Sequence, residues 1–135
     1  MTTTEPARRP LLLIVDDDVR SANLLGRLLR IDGFDSEVTT DGAAALARLT
    51  RSPVPDAVLT DFHLAHADGL AVGRYARSRR AAIPIFVITG DPSAVLRASD
   101  PLSEPTVLLT KPLDYAELVL RLRAALLADT AGRAG

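Results

Sequence analysis

Three consecutive aspartates, Asp16, Asp17 and Asp18, close the apolar run LLLIV at residues 11–15. Two carboxylates held about 4 Å apart repel by roughly 4 kcal/mol at an effective dielectric near 20. Acids crowded at the end of a buried strand therefore either splay into water or wait for a cation. Other reactive side chains stand in the same relation to an apolar run: Asp61 ends VLTD, Thr89 ends FVIT and Lys111 follows LLT. Taken singly, each has an ordinary explanation: Asp18 caps the next helix, Asp61 is a turn residue, Thr89 a strand-end hydroxyl and Lys111 a solvated strand end. Taken together, they put acids, a hydroxyl and an ammonium at one topological position on different strands, and their charges complement one another.

The elements that must position them follow from periodicity. Apolar runs at 11–15, 34–39, 57–60, 83–89 and 106–110 are short and rich in β-branched residues, which reads as strands. Segments of helical period separate them. The first, over 19–31, carries Ala22, Leu25, Leu28 and Leu29 and stops at Asp32-Gly33, where glycine takes a left-handed cap. The second opens at Asp41, turns Ala45, Leu46 and Leu49 inward and ends before Pro53. A third runs from Asp68-Gly69 to about Arg79, and a short fourth opens at Asp91-Pro92 and closes before Pro101. The fifth pairs Asp114 with Glu117 in a capping box and continues to about Leu127. Such alternation predicts an α/β fold with a doubly wound parallel sheet and helices on both faces. Ligands bind beyond the carboxyl ends of such strands, where the winding reverses, and there the reactive residues fall.

Composition narrows the chemistry further. A chain of 135 residues with 47% apolar and 24% charged residues suits one globular domain. A disordered lead is expected over 1–9, the domain over 10–128 and a flexible tail over 129–135. The net charge of -1 offers nothing to nucleic acid or an anionic membrane surface. Cysteine is absent, which removes disulfides, zinc-thiolate sites and thiol nucleophiles. The first apolar run is too short to span a bilayer and makes a poor signal sequence, so a cytoplasmic location is expected. Arg74, Arg77, Arg79 and Arg80 read as a solvated face.

The ordered set of motifs resembles the receiver domain of bacterial response regulators. An acid pair (Asp16, Asp17), an acceptor aspartate with a later Asp-Gly (Asp61, Asp68-Gly69), a hydroxyl before a small residue (Thr89-Gly90) and a Lys-Pro (Lys111-Pro112) carry the likeness over essentially 10–128. The resemblance implies a flavodoxin-like fold of strand order 2-1-3-4-5. It implies that Asp61 takes a phosphoryl group from a histidine kinase or phosphotransfer protein, with Mg²⁺ as cofactor and a downstream protein as target. Asp17, Asp61 and the backbone carbonyl of His63 would hold the ion directly and Asp16 largely through water, Lys111 would supply charge, and Thr89 would bond a phosphoryl oxygen. Asp61 is expected to be ionised at neutral pH, at or below its ordinary pKa. His63 and Asp91 take positions that tune phosphoryl lifetime.

This sequence departs from the family at two places. Leu108 stands where the family carries a switching aromatic, and Ala65 stands where a proline is common. The first departure sharpens an alternative, an interaction module that signals without phosphate. A haloacid dehalogenase-like phosphatase with Asp16 as nucleophile and Asp18 as acid–base is a second rival, but its motif order requires a further acidic strand end after Lys111. A flavin-binding protein lacks support because acids, not a phosphate loop, follow the first strand. His63 and His66 offer no third ligand for a transition metal. Leu120 and Leu127 fall outside the core stripe of the fifth helix; they are either scattered surface residues or part of a homodimer or partner face on the fourth helix, fifth strand and fifth helix. DFHL and ITGD resemble receivers at the ends of hybrid kinases, so the chain is expected to be a stand-alone receiver or part of a larger one.

Overall fold

Among the described residues, an aspartate opens every helix. Asp18, Asp41, Asp68, Asp91 and Asp114 each accept a hydrogen bond from the backbone N–H three residues on, at Ser21, Ala44, Ala71, Ala94 and Glu117, a cap worth about 1 kcal/mol per helix. In the computed structural model, which describes residues 8–98 and 106–134, these caps alternate with the apolar runs. The elements are β1 (Leu11–Val15), α1 (Val19–Ile31), β2 (Asp35–Thr39), α2 (Gly42–Leu49), β3 (Ala57–Asp61), α3 (Gly69–Arg79), β4 (Ile85–Thr89), α4 (Pro92–Leu96), β5 (Thr106–Thr110) and α5 (Tyr115–Ala134). All strand pairs are parallel and the sheet order is β2-β1-β3-β4-β5.

The two faces of the sheet are sealed separately. Successive side chains of a strand point to opposite faces, so Leu12 and Ile14 join Phe86, Ile88, Leu118 and Leu122 on the side of α1 and α5. Leu13 and Val15 join Leu49, Val58, Leu70 and Val87 on the side of α2 and α3. β3 and β4 are buried along their whole length, and burial on both faces explains why their runs are continuous rather than alternating. Gly33 takes a φ of 100° and ends α1, as its place after Asp32 predicts. On α5, Leu118, Val119 and Leu122 are buried while Leu120 and Leu127 are 71% and 73% exposed.

Both chain ends differ from the sequence reading. α5 stays helical to Ala134, through the stretch expected to be a flexible tail from Asp129. Asp129 is buried, and its carboxylate meets Arg80 at 3.4 Å. The partners lie 49 positions apart, beyond the reach of any local pattern. At the other end, Arg8 and Arg9 fall in the expected disordered lead yet are engaged. Arg8 forks onto buried Asp56 at 3.0 and 3.2 Å, Asp56 also accepts from the Leu11 N–H at 2.7 Å, and Arg9 meets Asp35 at 3.1 Å. The remainder of that lead, 1–7, lies outside the described residues. α4 ends at Leu96, short of the boundary expected before Pro101; residues 99–105 also lie outside those described.

Candidate functional site

Strand register decides what meets at the carboxyl edge. Val15 of β1 lies beside Thr60 of β3, so the residues that follow, Asp16 and Asp61, leave the sheet side by side. Carboxylate oxygens of Asp16, Asp17 and Asp61 lie within 4.8 Å of one another. On the other side of β3, Thr89 pairs with Thr110 of β5, and the Lys111 N–H donates to the Thr89 carbonyl at 2.9 Å. Lys111 reaches back across the edge, and its Nζ sits 3.2 Å from Asp61 Oδ1. A cleft of about 560 Å³ opens over the three aspartates and Lys111, with Ser21, Leu25, Pro112 and Leu113 on its walls. A smaller recess of about 50 Å³ joins Asp61, His63, Thr89, Gly90 and Lys111.

The backbone of Asp61 is held by groups that sequence reasoning missed. Thr60 Oγ1 donates to the Asp61 carbonyl at 2.8 Å. A Cβ added to Gly69 would lie 2.3 Å from that same carbonyl oxygen, and the Gly69 N–H donates to the Phe62 carbonyl at 2.8 Å. Only glycine lets α3 begin this close to the strand end. The Asp68-Gly69 pair reads in sequence as a helix start; its second role, contact with the Asp61 backbone, depends on a turn that no local pattern shows. Gly42 packs in the same way against Ala67 in the β3–α3 loop.

Electrostatics at the site differ from expectation. Asp61 is buried, and its carboxyl is pushed up to about 7, first by burial, then by the hydrogen bond and repulsion from Asp16. Lys111 opposes both, but its side chain is 48% exposed and water screens it. The expectation of an ordinary or lowered value overlooked the burial of Asp61 and its contact with Asp16. Asp16 Oδ1 accepts from the Asp18 N–H at 2.9 Å. Asp18 itself caps α1, and the Ser21 N–H and hydroxyl hold its carboxyl below the usual range. Octahedral coordination at about 2.1 Å sets neighbouring oxygens about 3 Å apart and opposite ones about 4 Å apart. The acid trio fits a small divalent cation, which would relieve the crowding that raises Asp61.

The remaining expected residues are placed as follows. Thr89 is buried at the end of β4, and its Oγ1 accepts from the Asp91 N–H at 2.9 Å. Asp91 caps α4, and the Ser93 hydroxyl, then the Ala94 N–H, hold its carboxyl low. His63 is exposed and meets Phe62 edge-on at 4.7 Å. His66 is exposed with a φ of 72°. Among the described residues, the aspartate trio is the one cluster of metal-ligating side chains, and neither histidine belongs to it. Leu108 is half-buried, opposite Val87, and packs against the α2–α3 side of the core.

Fold and site together define an α/β domain that can hold a divalent cation beside an anionic group. The family model for the response regulator receiver domain matches residues 12–123, and the chain belongs to that family. It is 36% identical over 115 residues to the sensory transduction protein RegX3 of Mycobacterium tuberculosis, covering 85% of this chain and 50% of RegX3. The chain spans about half the length of the curated relatives it matches. Among solved structures, a sensor protein from Polaromonas sp. JS666 superimposes with a TM-score of 0.76 at 35% identity, over 88% of this chain and 97% of that one. A response regulator receiver protein from Sinorhizobium medicae WSM419 shares the fold with a TM-score of 0.81 at 24% identity, over 91% and 98%. This is a receiver domain of the two-component response-regulator family, whose members accept phosphoryl groups, bind Mg²⁺ at an acidic site and interact with histidine kinases and downstream targets. Among the described residues, no helix is long and apolar enough to cross a membrane.

Proposed function

We propose that Asp61 is the phosphoryl acceptor of this domain, and that the domain, over about 10–128, passes the signal from a histidine kinase or phosphotransfer protein to a downstream protein. The observation that carries this reading is the meeting of Asp16, Asp17 and Asp61 within 4.8 Å, with Lys111 at 3.2 Å from Asp61. An Asp61 oxygen attacks the phosphorus of a phosphohistidine; the O–P bond forms as the P–N bond breaks, and the imidazole leaves with the electron pair. The half-exposed Lys111 ammonium is placed to turn from Asp61 to the incoming phosphoryl oxygens. Thr89, on the wall of the same recess, donates its hydroxyl proton to one of them.

Asp17, Asp61 and the His63 backbone carbonyl would hold Mg²⁺ directly, with Asp16 acting through water. Bound there, the ion would neutralise charge on the transferring group. The domain turns over no other substrate on this reading and acts in the cytoplasm. Leu108 offers no ring to move, so the output runs through the β4–α4 loop and α4. A homodimer or partner contact on the α4–β5–α5 face is supported by exposed Leu96 and Leu120. Incubation with acetyl phosphate and Mg²⁺ followed by intact mass tests the assignment. Wild type gains one phosphoryl group and Asp61→Asn none; equal incorporation by both overturns it.

A further inference from the structure

Resting on the reading of Thr89 as the group that receives the phosphoryl oxygen, we infer that Ser93 and Arg97 are positioning residues for its hydroxyl. Thr89 stands at the end of a line of hydrogen bonds that runs out along α4. Its Oγ1 accepts from the Asp91 N–H at 2.9 Å; the Asp91 carboxylate accepts from the Ser93 hydroxyl at 2.7 Å and the Ala94 N–H at 3.3 Å; Ser93 Oγ in turn accepts from Arg97 Nη1 at 2.9 Å.

Two features make this line matter for the transfer. A hydroxyl carries one proton and two lone pairs. With Asp91 N–H on one lone pair, the Thr89 proton turns elsewhere, and the recess shared with Asp61 and Lys111 is where Thr89 has open space. The second feature is the weakness of α4. It spans five residues, none fully buried, and meets the core through Val95, four positions beyond Asp91, so packing holds the helix at its far end and leaves the Asp91 N–H to the polar bonds. Gly90, before Asp91, meets nothing within 4 Å of an added Cβ, so no neighbouring group props the turn from that side. Polar bonds therefore set the Asp91 N–H direction. Ser93 supplies the shortest of them, and Arg97, one helical turn on, orients the Ser93 hydroxyl so that its proton points to Asp91.

The test is phosphorylation kinetics with acetyl phosphate and Mg²⁺, in a cycle of Ser93→Ala, Thr89→Ala and the double variant, with Ser93→Thr as the conservative rescue. One hydrogen bond of about 1 kcal/mol corresponds to roughly fivefold. Ser93→Ala is expected to lower the maximal incorporation rate by roughly three- to fivefold and to leave Mg²⁺ affinity, read by calorimetry, unchanged. Arg97→Ala should lower it by about twofold, and Ser93→Thr should restore it. In the Thr89→Ala background, Ser93→Ala should change nothing further, because its effect travels through that hydroxyl. Amide exchange at Asp91, read without any phosphodonor, should quicken in Ser93→Ala. Equal rates in wild type and Ser93→Ala, or a full Ser93→Ala loss on top of Thr89→Ala, would overturn the inference while leaving Asp61 as the acceptor. A wild type that takes up no phosphoryl group would overturn both.

Discussion

Replacing Asp61 with asparagine should stabilise the metal-free protein at alkaline pH, although it removes the proposed acceptor. Burial and Asp16 displace the Asp61 pKa from 3.8 to about 7. The folded state therefore holds the proton more tightly than the unfolded state. Below pH 3.8 both states are protonated and the carboxylate costs nothing. Between 3.8 and about 7 the unfolded chain ionises while the folded one does not, so stability falls as pH rises, and above about 7 the cost is complete. The displacement corresponds to on the order of 4 kcal/mol as a ceiling, net of the Lys111 attraction. Local relaxation and water in the open cleft reduce it, and about 2 kcal/mol is expected. With a urea m-value near 2 kcal/mol/M, that moves the midpoint by about 1 M. Urea titrations in chelator should show Asp61→Asn above wild type at pH 8 and level with it near pH 4, and added Mg²⁺ should narrow the gap by binding wild type more tightly. A midpoint at pH 8 equal to or below that of wild type, or the same gain at both pH values, would refute the reasoning.

Three further outcomes are expected. Lys111→Met should slow phosphoryl incorporation by roughly 100-fold, since a charge aimed at the transferring group is worth about 3 kcal/mol; quench-flow rates within a few-fold of wild type would discard that role. Gly69→Ala should cost about 1 to 3 kcal/mol in urea unfolding, because the added methyl must push the Asp61 carbonyl away. It should also slow phosphorylation, and a variant with wild-type midpoint and rate would show that the contact relaxes freely. His63→Ala should alter the decay of phosphorylated Asp61 without preventing its formation; an unchanged half-life removes His63 from the hydrolytic path.

The sheet was legible because its signals are local and redundant. LLLIV, AVLT and IFVIT are short apolar runs, and LLLIV and IFVIT are followed within three residues by a capping aspartate. Asp16, Asp17, Thr89 and Lys111 could be placed together because topology alone fixes where strands end. What local pattern could not show was how wet each partner would be. Asp61, expected at or below its ordinary pKa, is buried beside Asp16, while Lys111 stands half in water. Arg48 illustrates the same limit: a charged residue on a small amphipathic helix, it is 5% exposed and binds Glu37 and the carbonyls of Arg51 and Pro53. Gly69 and Asp129 were misread or half-read because their contacts are tertiary.

The ion pairs at the two chain ends carry a practical consequence for anyone excising this unit. The apolar periodicity outlines a piece from Pro10 to Ala128, and a cut there would look generous. It would discard the guanidinium that answers the Asp56 carboxylate, whose side chain is only 6% exposed, and the anion that meets Arg80. Asp56 keeps its bond from the Leu11 N–H, and with Arg8 69% exposed the lost pair costs about 1 kcal/mol. A fragment meant to keep both ion pairs therefore begins no later than Arg8 and ends no earlier than Asp129.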